Sequence, residues 1–244
     1  MKGKILVLMA IMLLVGWAWA TTPHTITVDG NLSDWNSDEL IIDDANDDSL
    51  WANDEVKEIY LTWDADNLYI GANYTVSNNA FIVYLDTDYA GGETDFEHDW
   101  SGWYRRYVTF ENYDIDFFIP LWDTGSPSAL QVVDGNNTDV SSNCTISGSG
   151  GTWEVAIPWG QLLNGGVPGY VAVAAVIAGG DDYGGADIAP DATGNTIDTN
   201  DSNHINIKAM FKVPVDSDGD HNADSGVSPA SAGSTPVKDW YLYY

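Results

Sequence analysis

The sequence predicts an all-β protein, an antiparallel β-sandwich of the immunoglobulin or jelly-roll type, and three observations predict it. Short runs rich in Val, Ile, Tyr, Phe, Trp and Thr recur along the chain, none longer than about ten residues. Clusters of Asp, Asn, Gly and Pro, the residues of tight turns, separate them. Beyond the first twenty residues no stretch keeps a helical period, except weakly at 49–59.

In chain order the predicted strands are 56–63 (VKEIYLTW), 67–74 (NLYIGANY), 81–86 (FIVYLD), 107–111 (YVTFE), 114–119 (DIDFFI), 152–157 (TWEVAI), 170–177 (YVAVAAVI) and 204–213 (HINIKAMFKV). Asp64, Ala65, Asp66 and Asn67 form a tight hairpin turn between the first two. Many short strands at this spacing make one sandwich domain, expected over residues 21–224. A Ser/Gly/Pro/Ala linker follows at 225–236 (SGVSPASAGSTP). The last run, 237–244 (VKDWYLYY), is expected to close its own sheet or to add to the open edge of a neighbour's.

Residues 1–20 are a signal peptide: basic MKGK leads into the apolar run ILVLMAIMLLVGWAWA, which ends at Ala18 and Ala20 in an A-x-A cleavage pattern. The mature chain is therefore expected to be secreted, extracellular or at the cell surface, with no membrane insertion. Removing Lys2 and Lys4 leaves six cations against 37 acids, a net charge of −31. Such a surface excludes nucleic acid and anionic lipid as partners. Of the acids 30 are Asp and 7 are Glu, and Asp is the carboxylate of turns and ion-binding loops. A plainly soluble or salt-adapted surface is the alternative reading of the same charge. Cys144 is alone, so no intrachain disulfide forms and stability has to come from the core, from bound ions or from assembly. Five N-x-S/T sequons, at Asn31, Asn73, Asn136, Asn143 and Asn200, mark a surface able to carry glycans as a glycoprotein.

ITVDGNLSDW (26–35), VKEIYLTWDADNLYIGANYTV (56–76), FIVYLDTD (81–88), TWEVAIPW (152–159) and YVAVAAVIAGGDD (170–182) occur in the order seen in family 9-like carbohydrate-binding modules of the DOMON-like superfamily. The chain most resembles the version found at the C-terminus of glucodextranases and amylopullulanases. The resemblance runs from residue 26 to about 213. It implies an extracellular, usually non-catalytic sandwich, often calcium-stabilised and frequently attached to enzymes that act on polysaccharides. Sugar-binding members of that family are similar in clamping a terminal sugar between two tryptophans. The matching places here read VSNNA (76–80) and AGGDDYGG (178–185), without Trp, so the clamp is not carried over.

Another carbohydrate platform is offered by HDWSGWYRRY (98–107), where Trp100, Trp103, Tyr104, Arg105 and Arg106 lie together with Tyr107. Aromatic faces stack on the apolar faces of pyranoses while guanidinium groups hydrogen-bond hydroxyls. The alternative is that Tyr104, Val108 and Phe110 point into the core and the arginines pair with surplus acids. Trp122 and Tyr89 are weaker candidates, whereas Trp35, Trp63, Trp153 and Trp159 lie in strand motifs and are expected in the core.

DSDGDHNAD (216–224) has Asp216, Asp218, Asp220 and Asp224 at positions 1, 3, 5 and 9 of a loop, a spacing that turns alternate carboxylates toward one oxygen-lined cavity. It resembles the calcium loops of thrombospondin type 3 repeats, with His221 where those carry a second glycine, and it lacks the closing Glu of an EF-hand. A solvated acidic loop is the alternative. Secondary calcium candidates are Asp86 and Asp88 with Glu93 and Asp95, and Asp181 and Asp182 with Asp187. Asp43, Asp44, Asp47 and Asp48 form an acidic turn of the same kind, for which plain solvated surface is the stronger alternative.

No C-x-x-C-H, G-x-S-x-G, P-loop or H-E-x-x-H motif is present, and no carboxylate pair stands out for glycoside hydrolysis, so a non-enzyme is expected. Some DOMON-like relatives hold haem; Met210 with His24, His98, His204 or His221 would be the ligands, but a strand Met beside Phe211 reads as core. The expectation is a secreted carbohydrate-binding module-like protein, stabilised by calcium and recognising a polysaccharide or surface glycan. The alternative is a calcium-dependent structural subunit of the cell surface, or of an extracellular filament or tubule, self-assembling by strand exchange.

Overall fold

The structure is a computed structural model that describes residues 23–44, 48–87, 106–123, 130–162, 166–180 and 183–225. The signal peptide, the expected terminal strand 237–244 and all but the first residue of the linker lie outside them. Two β-sheets pack face to face. The first contains β1 (Leu40–Asp43), β2 (Glu55–Trp63), β3 (Asn67–Thr75), β8 (Thr145–Ser149) and β9 (Thr152–Pro158), in the order β1-β2-β3-β9-β8. The second contains β4 (Ala80–Thr87), β6 (Phe117–Trp122), β7 (Val133–Asp134), β10 (Tyr170–Ala178) and β11 (Gly185–Ala189), in the order β11-β10-β4-β6-β7. Its sixth strand, β14 (Phe211–Pro214), shares the outer edge of β10 with β11: β14 pairs with Tyr170 to Val173, and β11 with Ala175 to Ala178. Every pairing in these two sheets is antiparallel.

A third, small sheet was not foreseen. β12 (Thr196–Asp198), β13 (His204–Ile207) and β5 (Val108–Phe110) form it, and its β13–β5 pairing is parallel. It covers the outer face of the second sheet, which explains why YVAVAAVIA reads as a continuous apolar run instead of an alternating one. Val171, Val173, Ala175 and Ile177 face the first sheet, while Ala172, Ala174, Val176 and Ala178 face the small one. β4 divides likewise, Phe81, Val83 and Leu85 to one core and Ala80, Ile82 and Tyr84 to the other. The outer face of the first sheet is crossed by the N-terminal segment, anchored by the buried Glu154, whose carboxylate accepts N–H bonds from Asp29, Gly30 and the Trp35 indole at 2.7–2.8 Å.

The predicted strands hold with shifts that have local causes. Run 204–213 divides into β13 and β14 because the Asn195 side chain accepts the N–H groups of Lys208 and Ala209, taking them out of any ladder. The strand expected at 114–119 begins instead at Phe117, since Asp116 turns its carboxylate to the N–H and hydroxyl of Thr87. The weak helical period at 49–59 is not a helix: residues 51–53 turn, with Asn53 at φ 73°, and β2 starts at Glu55. The described residues hold one short α-helix, α1 (Trp159–Leu162), and none long and apolar enough to cross a membrane. Trp35, Trp63, Trp153 and Trp159 are buried as expected, and Met210 packs in the core beneath the small sheet.

Candidate functional site

The loop 216–224 follows β14 and is tied back to the sandwich at both ends. Asp224 donates its N–H to the Val215 carbonyl, and the Trp63 indole donates to the Asp224 carbonyl, both at 2.8 Å. Asp216 is the one buried acid of the loop. Its Oδ1 accepts the N–H groups of Gly219 and Asp220 at 2.8 and 3.2 Å, and its Oδ2 that of His221 at 3.0 Å. Burial pushes the Asp216 carboxyl up, but those N–H groups and the nearby imidazole outweigh it and hold it below the usual carboxylate range. Asp224 in turn accepts the N–H and hydroxyl of Ser217. Asp216, Asp218 and Asp224 each bring an oxygen within 4.8 Å of the others. Asp220 does not join them: its Oδ1 accepts the Asn222 N–H, so the fifth position of the loop serves the turn.

A second acidic cluster is assembled from three separate parts of the chain. Asp44 follows β1, Asp48 and Glu55 flank the turn before β2, and Asp187 is in β11; one carboxylate oxygen from each lies within 4.8 Å of all the others. Backbone bonds hold the pieces in place. Asp44 donates its N–H to the Lys57 carbonyl at 2.7 Å, Leu50 to the Ala186 carbonyl at 2.9 Å, and Val56 to Oδ2 of Asp187 at 2.7 Å. Asp44 is 7% exposed, Glu55 6% and Asp187 2%, while Asp48 is exposed. Burial, followed by repulsion from Asp187, Asp191 and Asp48, pushes the Asp44 carboxyl up to about 8. Burial, with Glu55 and Asp48 adding to it against the Val56 N–H, pushes Asp187 up to about 7.

Of the sequence candidates, Asp187 thus meets Asp44 and Asp48 of the acidic turn; Asp181 and Asp182, its expected partners, lie outside the described residues. Glu55 was missed, because nothing in VKEIYLTW marks the residue before it as more than a strand start. Asp86 is buried in β4, with the Tyr170 hydroxyl at 3.3 Å; burial and then repulsion from Asp116 push its carboxyl up to about 7. Asp88, Glu93 and Asp95 lie outside the described residues, and within them Asp86 joins neither acidic group.

The aromatic candidates divide similarly. Trp100, Trp103, Tyr104 and Arg105 lie outside the described residues. Arg106 differs from the expected surface donor: it is 1% exposed, with Cζ 5.9 Å from the Trp122 ring centroid, because it enters β5 on the side where Val108 and Phe110 also point into the core. Aromatic surface does occur beside the four-acid cluster. Trp51 and the 40% exposed Tyr183 stack at 6.0 Å between centroids, and Tyr107 stacks on His204 at 4.0 Å. The Tyr107 N–H donates to the Tyr183 carbonyl at 3.1 Å and so joins the two pairs. Gly184 and Gly185 let the chain after Tyr183 pass against its neighbours, since a Cβ on either would fall within 2 Å of a carbonyl oxygen, of Asn203 and Ile177 respectively.

No family model matches the chain, and no curated protein matches it. Among solved structures the chain is similar to a family 9 carbohydrate-binding module from Caldicellulosiruptor kristjanssonii in complex with cellotriose, at a TM-score of 0.33 and 13% identity over 65% of this chain and 75% of that one. At that level the site rests on this chain's own residues.

Proposed function

We propose that this chain is a secreted, non-catalytic carbohydrate-binding module-like protein, stabilised by calcium, whose glycan surface includes Trp51, Tyr183 and Tyr107. The observation that carries this reading is the partly exposed Trp51–Tyr183 stack, joined through Tyr107 to a second aromatic pair and edged by carboxylates such as Asp201, which accepts the Tyr107 hydroxyl at 2.8 Å. Flat π-faces beside hydrogen-bonding carboxylates match the two kinds of surface a pyranose presents, apolar C–H faces and hydroxyl edges. Tyr107 is also the end of the motif 98–107, so Trp100, Trp103, Tyr104 and Arg105 are proposed to extend the same surface. Calcium is proposed at Asp216, Asp218 and Asp224 of the loop, hard oxygen donors that suit a hard cation.

A glycan array with and without calcium tests the reading. Tyr183→Ala and Trp103→Ala are each expected to weaken the best hit about fivefold or more, the cost of truncating a contact worth at least 1 kcal/mol. An array with no hit, or hits indifferent to both changes, overturns it.

A further inference from the structure

We infer that Asp44, Asp48, Glu55 and Asp187 form a calcium site, separate from the loop 216–224, that fastens the edge of the first sheet to the edge of the second. The inference does not depend on the carbohydrate reading. Asp44 and Glu55 belong to the β1–β2 edge and Asp187 to β11, so an ion between them joins strands that no backbone ladder connects.

Crowding of acids alone would not establish this; the treatment of the buried oxygens does. Three other buried carboxylates of this fold are met by donors on both sides. Glu154 accepts three N–H bonds, Glu39 bonds His24 and accepts the Asn36 N–H, and Asp54 accepts from Ser77 and Asn79. In the four-acid cluster Oδ2 of Asp44 and Oδ1 of Asp187 are buried and accept no hydrogen bond among the described residues. Nor does a lysine, arginine or histidine there form an ion pair with either residue. A buried carboxylate oxygen without donor or cation is costly, and several such groups facing one point are the arrangement a bound cation resolves.

The chemistry selects the ion. All four donors are carboxylates, without thiol or imidazole, which excludes a preference for zinc or copper. Oxygens within 4.8 Å of one another fit around one calcium, whose ligands at about 2.4 Å lie up to about 4.8 Å apart across the shell. Magnesium prefers to keep waters and takes one or two carboxylates, so a four-carboxylate cage favours calcium. Such an ion also holds residues 48–55, the segment carrying Trp51.

The test is calcium titration by calorimetry on the mature chain stripped with EDTA, together with melting curves, for the wild type and three variants. Asp187→Asn is expected to lose one calcium equivalent, while Asp218→Ala, in the loop, keeps it. Asp48→Asn, at an exposed position and nearly isosteric, is expected to leave the melting point in EDTA close to that of the wild type and to weaken the same equivalent on the order of tenfold. It keeps the inference falsifiable if Asp187→Asn does not fold. Unchanged calcium affinity in Asp48→Asn, an unchanged stoichiometry in folded Asp187→Asn, or a wild type that binds no calcium at millimolar concentration would each overturn the site. Magnesium raising the melting point as much as calcium at equal concentration would overturn the choice of ion.

Discussion

The two acidic regions, loop 216–224 and the cluster at Asp44, Asp48, Glu55 and Asp187, carry similar charge and are built oppositely. The loop gathers its acids within nine residues, leaves Asp218 and Asp220 exposed and Asp224 half-buried, and spends several carboxylate oxygens on its own N–H groups. The cluster draws its acids from stretches up to 143 residues apart, from Asp44 to Asp187, and buries three of them, with one oxygen each of Asp44 and Asp187 accepting no hydrogen bond among the described residues. Local density of charge therefore does not measure the demand for a counter-ion. What measures it is how many donors remain once the backbone has closed around each carboxylate.

Calcium itself should produce the largest effect. At a hundredfold excess over its dissociation constant, one bound ion stabilises the fold by about 2.7 kcal/mol. In a domain of this size that is a rise of roughly 5 to 10 °C in melting temperature. Most of the rise is expected to vanish in Asp187→Asn and to survive in Asp218→Ala, measured by calorimetric melting in calcium and in EDTA. The reverse pattern would invert the comparison.

Asp86 sharpens it, being buried like Asp187 yet outside either acidic group. Its folded pKa, about 7, stands above the 3.8 of an ordinary Asp, so the folded state favours the neutral acid. The stability this contributes is fully present below about pH 4 and is lost as the pH rises through about 7, a difference on the order of 2 kcal/mol. Urea midpoints of the wild type minus those of Asp86→Asn, taken in EDTA from pH 4 to 8, should fall along that window. A flat difference would show that Asp86 does not titrate there.

Asp216→Ala tests the loop's dependence on its own donors, because the Gly219 and His221 N–H groups lose their acceptor together and that of Asp220 keeps only Asp218. We expect a loss of about 1 to 2 kcal/mol in EDTA as well as in calcium, by urea denaturation. A loss seen only in calcium would mean that Asp216 serves the ion proposed there and that its bonds to the loop's own N–H groups contribute nothing measurable. The smallest effect belongs to Gly219→Ala: a Cβ there meets nothing within 4 Å, but φ is +76°, so the cost is conformational, about 1 kcal/mol. No change in the unfolding midpoint would mean that the turn is not held in that conformation.

The sequence by itself determined the class of fold and most of its ladder. Alternation and β-branched runs mark β2, β3, β4, β9 and β10 to within a residue or so at each end, because each is long, apolar and bounded by turn residues. The loop 216–224 was equally legible, since its acids are neighbours along the chain. Strands β1, β8 and β12 were not, being short and flanked by polar residues, and neither was the small third sheet, whose parallel pairing joins β5 to β13 across some ninety residues. The same blindness hid the four-acid cluster. Asp44 and Asp48 looked like surface, Asp187 looked like a partner of Asp181 and Asp182, and Glu55 looked like the start of a strand. Only the tertiary structure decided that β11 shares the edge of β10 with β14 and so brings Asp187 to the β1–β2 edge. The physical reason is that periodicity and turn chemistry act between near neighbours in the chain. The environment of a buried charge is set by whichever strands the core packs beside it, and that is a property of the whole fold.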